Sequence, residues 1–265
     1  MPTFIGIDLA WRSDRNHSGG AVLEGDEQGV TIKELSEGLT TLNEVQGFIH
    51  RHTRSDCIVA IDAPLIIEND KGQRPCEKKI GHQFGAAHAS AHTSNRKLYP
   101  DAGSVRLVNH LKAQGFEDCP HPHQRFLGGK WFFEVYPHPA HLVLFQRSQI
   151  IKYKKGQVTA RKKGLHEFRE SMRRFLCQAN PSLVEDAQLC SFLERPLGDL
   201  RGKALKRYED LLDAVFCAYL AAYFWTWSWE RNEMIGNRET GYVINPIQRA
   251  ANELMEQTPY SRGSS

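Results

Sequence analysis

The order in which strand and helix segments follow one another constrains this chain most. Thr3–Leu9 alternates and is rich in β-formers, and Gly20–Glu24 and Val30–Leu35 follow as two further short strands across the turn-like GDEQG segment. Three strands without an intervening helix predict a meander and exclude a doubly wound βαβ series. Thr40–His50 then has helical spacing (Leu42, Val45, Phe48, Ile49) behind candidate caps Thr40 and Thr41. Asp56–Asp62, DCIVAID, reads as a strand buried on both faces, stopped by Pro64. Helical spacing returns at Val105–Gln114, Trp131–Val135 is a fifth strand ended by Pro137, and a long helix from about Lys203 to Trp229 closes the core.

With 265 residues and 40% apolar content the chain can bury a large core. The expected layout is one domain over 1–255, with an insertion at about 66–104, a basic segment at about 147–174 and a disordered tail at 256–265. The longest apolar run, Ala214–Trp227, falls short of the roughly 20 residues a membrane span needs and abuts Asp213, so it reads as a buried helix and no membrane partner is expected. The six cysteines form no C-x-x-C pair and the N-terminus has neither basic nor apolar signal regions. A reducing, cytoplasmic location is the expectation.

Strand, strand, strand, helix, strand, helix, strand, helix is the order of the ribonuclease H-like fold: α/β, with a mixed five-stranded sheet, flanking helices and insertions. That fold carries acids on its first strand, at the end of its fourth and on its last helix. This chain has Asp8, Asp62, and Asp210 with Asp213 there. In FIGIDLA, Phe4, Gly6 and Asp8 share one strand face, so Asp8 points away from Ile5, Ile7 and Leu9. Asp210 and Asp213, three apart, project from one helix face. Carboxylates gathered together repel unless a cation lies between them, and Mg²⁺ or Mn²⁺ prefers oxygen ligands. Two such ions roughly 3.5–4 Å apart activate a water and stabilise the leaving oxygen in phosphodiester cleavage. Each acid also has a plainer role open to it: Asp62 as a turn former or cap, Asp8 paired to a buried Arg, Asp210 on a solvated helix face.

GIDLAW (Gly6–Trp11), AIDAPL (Ala60–Leu65), RPCE (Arg74–Glu77), EVYP (Glu134–Pro137) and DLLDAVFCAYLAA (Asp210–Ala222) together resemble the domain-of-unknown-function family 429, whose members are predicted nucleases of ribonuclease H-like fold. The resemblance runs from about Ile5 to Ala222. It implies a two-metal centre, and similarity to Holliday junction resolvases gives Asp8, Asp62, Asp210 and Asp213 as ligands. Those resolvases typically have Glu at the second strand position; Asp62 is one methylene shorter. Resolvases of this fold act as dimers, which makes a homodimer a candidate assembly.

Glu134, on a strand face with Phe132 and Tyr136, is open to three roles: metal ligand, general acid/base, or salt-bridge partner of an Arg in the insertion. Arg74, Cys76 and Glu77 match the family's Arg-x-Cys-acid motif and are expected to order the segment after Asp62, with Arg74 also able to grip a phosphate. Between Arg147 and Arg174 ten Lys or Arg face only Glu167 and Glu170. Lys154, Lys155, Arg161, Lys162 and Lys163 are candidate phosphate contacts of DNA or RNA on a basic hairpin or loop, the alternative being a solvated face. His88 and His92, with His82 nearby, have a helical zinc-site spacing that also suits a polar lid. CPHPH (Cys119–His123) reads as an exposed turn, and Trp225, Trp227 and Trp229 as base-stacking rings or core packing. Two other functions stay open: a catalytically silent nucleic-acid or protein-binding module, and an actin-like or sugar-kinase-like phosphotransferase. The second lacks the Gly-rich phosphate loops it needs.

Overall fold

Alternation in the first segment becomes β1 (Thr3–Asp8), with Ile5 and Ile7 in the core on one side of a sheet and Phe4 in the core on the other. The structure, a computed structural model, describes residues 1–11, 16–119 and 128–247. β2 (Ser18–Gly25) and β3 (Gly29–Leu39) complete an antiparallel meander. Thr41 then starts α1 (Leu42–His52): its hydroxyl accepts the Glu44 N–H, while the Glu44 carboxylate accepts the N–H groups of Thr40 and Thr41. β4 (Cys57–Asp62) returns parallel to β1.

The remaining elements are α2 (Pro75–Phe84), α3 (Gly103–Ala113), β5 (Glu117–Asp118), β6 (Lys130–Glu134), α4 (Pro137–Leu144), α5 (Val158–Ser171), β7 (Ser182–Leu183), α6 (Ala187–Glu194), α7 (Gly202–Trp227), β8 (Asn232–Asn237) and β9 (Gly241–Pro246). The main sheet runs β5-β6-β4-β1-β2-β3-β7, and every pairing outside the meander is parallel. Buried residues of α1 and α3 (Val45, Phe48, Ile49, Leu107, Leu111) join one face of the sheet, and those of α5, α6 and α7 the other. This is an α/β architecture with a mixed sheet between helical layers.

Three expectations need correcting. Among the described residues the main sheet has seven strands, not five, because two-residue β5 and β7 extend its edges; segments that short leave no period to read. The insertion carries a helix, α2, which packs with an unforeseen hairpin, β8–β9, around Ile80, Ile235 and Val243. Its buried positions include Glu77 beside Cys76 and Ile80, so the hydrophobic stripe is interrupted by a charge. The basic segment is mainly helical, α5 continuing into a π-helical turn at Met172–Leu176, rather than a hairpin. Among the described residues no helix is long and apolar enough to cross a membrane, and the six cysteines are free thiols.

Candidate carboxylate–lysine site

β1 and β4 run parallel and in register, so Asp8 and Asp62 stand opposite one another at matching strand ends. What brings the helix acids to them is the absence of side chains on the sheet. A Cβ on Gly6 would lie 2.0 Å from the Ala214 carbonyl oxygen, and one on Gly19 would lie 2.3 Å from that of Asp210. Without them the backbone of α7 rests directly on β1 and β2. Asp8 and Asp210 are then close enough for their carboxyl groups to hydrogen-bond. Asp213, one turn on, is fully buried and accepts a 2.6 Å hydrogen bond from the Tyr153 hydroxyl.

Two lysines enter this group. Lys154 Nζ lies 3.0 Å from Asp213 Oδ2 and 3.8 Å from Asp62 Oδ2, and Lys206, one turn before Asp210, lies 2.5 Å from Asp210 Oδ1 and 2.7 Å from Glu209 Oε1. Two lysines do not neutralise the acids. Burial, followed by repulsion from Asp8, holds the Asp210 carboxyl well above its ordinary range, against the pull of Lys206. Asp62 and Asp213 are also raised, first by burial; Lys154 pulls both down while Asp8 pushes both up. Lys154 itself is raised, because its acidic neighbours outweigh its burial.

Glu134 and Arg74 form a second buried charge group. Arg74 Nη1 and Nη2 donate to Glu134 Oε2 and Oε1 at 2.9 and 2.6 Å, Nε donates to Glu77 at 2.8 Å, and Nη1 also meets the Ile66 carbonyl. The Leu65 N–H donates to Glu134 at 2.9 Å, and the Glu77 carboxylate also accepts from Arg74 N–H, Ser94 N–H and the Ser94 hydroxyl. Glu134 therefore takes the salt-bridge role to an insertion arginine, while it and Arg74 also line the cavity that holds Asp8, Asp62 and Asp210. Arg74 is corrected from phosphate contact to internal clamp: it is buried and its guanidinium is spent on two carboxylates and a carbonyl. Cys76 is buried beside them, which pushes its thiol up to about 12 and keeps it in the protonated form.

The basic segment divides. Lys154 points into the carboxylates; Arg161 pairs with Glu209 at 2.8 Å and meets the Tyr153 carbonyl; Lys162 donates to the Gly198 carbonyl at 2.6 Å. Lys155 and Lys163 are exposed. His88 ends a 3₁₀ turn with φ of 64° and His92 lies beyond it, so the helical zinc spacing is not realised. Phe4 meets the Trp225 ring and Phe224 the Trp229 ring, while Trp227 donates to the Asn180 carbonyl and lies under Arg231; these tryptophans pack rather than present a stacking face. CPHPH lies, past Cys119, outside the described residues, as does the 256–265 tail.

Asp8, Asp62, Asp210, Lys154 and Lys206 line one cavity of about 280 Å³, which Asn16, His17 and His138 also line. Sequence reasoning missed Lys206, His17 and His138. Lys206 had a readable signal, its four-residue spacing before Asp210 on the helix. The two histidines had none, because only the folded chain brings them to the acids.

The residues present suit a hard divalent cation by one observation: Asp210 Oδ2 is buried and accepts no hydrogen bond, and Asp213 Oδ2, equally buried, meets only the Lys154 ammonium. Among the described residues no three His, Cys, Asp or Glu side chains are placed, as they stand, to hold one ion. Mg²⁺ asks for less, one or two carboxylates completed by water and phosphate oxygens.

Fold and site together define an α/β protein with an acidic cluster at the ends of two parallel strands, partly neutralised by lysines. The family described as Protein of unknown function (DUF429) matches residues 6–232, and the chain belongs to it. No curated protein and no solved structure matches.

Proposed function

We propose that this chain has a ribonuclease H-like fold and is a metal-dependent nuclease that hydrolyses phosphodiester bonds of nucleic acid. The observation that carries the reading is the convergence of Asp8, Asp62, Asp210 and Asp213, from β1, β4 and α7, with the carboxyl groups of Asp62, Asp210 and Asp213 raised, first by burial and then by the acids beside them. Strand order supports it: β3-β2-β1-β4-β6 inside the larger sheet, with only β3-β2-β1 antiparallel, fits the fold the sequence pattern suggested. Acids that burial disfavours and lysines only partly neutralise are poised for added positive charge.

Asp8 with Asp210, and Asp62 with Asp213, would hold Mg²⁺ or Mn²⁺. Bound there, the ion supplies Lewis acidity toward a phosphate oxygen and an activated water. The chain's own residues do the rest. Tyr153 fixes the orientation of Asp213 through its hydroxyl, and Lys154 and Lys206 supply positive charge at the cavity wall where a phosphate would enter. Glu134, Arg74 and Glu77 fix the chain just after Asp62 through Leu65 and Ile66, and so hold that wall.

Calorimetric titration with Mn²⁺, on the wild type and on Asp8→Asn with Asp213→Asn, tests the ligands. Binding in the wild type that vanishes in the double variant is expected, together with cleavage of DNA, RNA, hybrid or junction substrates that Asp8→Asn abolishes in a folded protein. The same lysine pairs favour a second reading, a silent binding module whose acids are permanently met by Lys154 and Lys206. Equal behaviour of wild type and double variant, with nucleic acid bound but intact, would select it.

A further inference from the structure

The two lysines at the acids are held in different ways. Lys206 reaches along the surface of α7 to Glu209 and Asp210, and its side chain is 49% exposed. Lys154 comes from the segment between α4 and α5, is 27% exposed, and stands between acids of two different elements, 3.0 Å from Asp213 Oδ2 and 3.8 Å from Asp62 Oδ2. Its anchor is rigid. Tyr153, the residue before it, is fully buried in the main core, and its hydroxyl donates to Asp213 Oδ1. Behind this segment α5 packs without a side chain: a Cβ on Gly164 would lie 2.2 Å from the Lys152 carbonyl oxygen and 3.0 Å from the Tyr153 Cα. Arg161 adds a hydrogen bond to the Tyr153 carbonyl. One pinned segment therefore supplies both the hydroxyl and the ammonium that meet Asp213.

The acids differ for the same reason. Asp8, Asp62 and Asp210 line the cavity, whereas Asp213 does not: it is fully buried, with Oδ1 taken by Tyr153 and Oδ2 by Lys154. Asp210, next to Asp8, keeps a buried Oδ2 that accepts no hydrogen bond. An incoming cation finds that oxygen free, and finds the Asp62–Asp213 pair already bridged by an ammonium. Resting on the metal-dependent nuclease reading, and stating how its centre is loaded, we propose that Lys154 keeps the Asp62–Asp213 pair closed to divalent ions. The protein without substrate then takes one ion, at Asp8 and Asp210, and a second place exists only once Lys154 has left the pair. Charge and anchoring decide this. A dication beside Lys154 would face a fixed like charge in a protein interior, where such repulsion is several-fold stronger than in water. Lys206 presents no such barrier, because a half-exposed side chain on a helix surface turns to solvent at little cost.

The test counts ions on the full chain with Mn²⁺ as the probe, by calorimetry and by electron paramagnetic resonance. Wild type is expected to take one ion and to show the signal of an isolated Mn²⁺. Lys154→Met should take two and show the exchange-coupled signal of a pair. Lys206→Met removes the same charge from the same group of acids and should still take one. Asp213→Asn reads the assignment without touching the lysine, and so holds even where Lys154→Met does not fold. It should also take one ion, with an affinity within about threefold of wild type, while Asp8→Asn should weaken binding by at least about a hundredfold. Two ions in the wild type, one ion in a folded Lys154→Met, two ions in Lys206→Met, or a loss in Asp213→Asn equal to that in Asp8→Asn would each overturn the assignment. One ion in the wild type and two in Lys154→Met, with no nucleic acid cut, would keep the role of the lysine and remove the nuclease reading. Two ions in the wild type with strands cut would do the reverse, and no ion in either protein would remove both.

Discussion

Two groups of buried charge sit within a few residues of one another in this fold, and they are built on opposite rules. Around Arg74 the guanidinium meets Glu134 and Glu77, the carboxylates also accept backbone and hydroxyl hydrogens, and the charges are held in fixed bidentate geometry. Around Asp8 the carboxylates outnumber the lysines, the buried Asp210 Oδ2 accepts no hydrogen bond, and three carboxyl groups are raised. The charges of the first group are balanced among its own residues; those of the second are not. A saturated network fixes chain segments, whereas unsatisfied acids lower stability and persist where something else is to be bound.

Removing one partner from the saturated group is expected to have the largest effect. Arg74→Ala leaves Glu134 and Glu77 buried without their cation, and should cost about 3–5 kcal/mol in chemical denaturation. A loss under about 1 kcal/mol would mean that the network is not what holds α2 to β6, and the contrast between the two groups would fail.

Next in size is the packing that creates the acidic group. Gly6→Ala puts a methyl where the Ala214 carbonyl oxygen now lies at 2.0 Å, so α7 must lift from β1. The expected cost is about 1–3 kcal/mol, with Mn²⁺ affinity lost alongside because Asp210 and Asp213 move with the helix. Wild-type metal affinity in this variant would separate the acids from the seating of α7.

Much of this arrangement was legible in the sequence, and the limits are physical. β1 to β4 and α7 showed because their periods are long and clean, and Asp8, Asp62, Asp210 and Asp213 because an acid inside an apolar segment is conspicuous. Glu134 showed its three roles, but only the fold selected Arg74 as its partner across sixty residues of sequence separation. The hairpin β8–β9 and α2 stayed hidden because each buries its few apolar residues against the other, so neither has a stripe of its own. The basic segment misled for a related reason: charge density is local in sequence, whereas the direction of each side chain is not. Lys154 turns inward while Lys155 beside it faces solvent.

A smaller effect, of opposite sign to the first, comes from neutralising an acid of the second group. Asp62 has a folded-state carboxyl raised above its ordinary 3.8, so the native state binds more protons than the unfolded chain from that value upward. Its contribution to stability is fully present below 3.8 and is lost as pH rises through the raised value. Asp62→Asn removes that loss, and should raise the melting temperature at pH 8 by about 2–4 °C while giving no gain near pH 3. Metal affinity should fall in the same variant, so the pair of readouts opposes stability to function at one residue. Asp62→Asn that destabilises at pH 8 would put Asp62 with the saturated charges instead.

The smallest stability effect is expected on the solvated face of the basic segment, and it tests how far the charge itself matters. Lys155 and Lys163 are exposed and Lys162 is tied to the Gly198 carbonyl, so replacing all three with Gln should move stability by no more than about 0.5 kcal/mol at each position. If these lysines reach the phosphates of a bound strand, the dependence of affinity on salt should flatten by about one unit of slope for each contact removed. Lys154→Gln should behave differently: it removes a charge already inside the acidic group, so the acids lose a neutralising partner and stability falls at neutral pH whether or not nucleic acid is present. Matching salt slopes in the triple variant and the wild type would confine the phosphate contacts to the cavity, where Lys154 and Lys206 already stand beside the carboxylates that need a counter-charge.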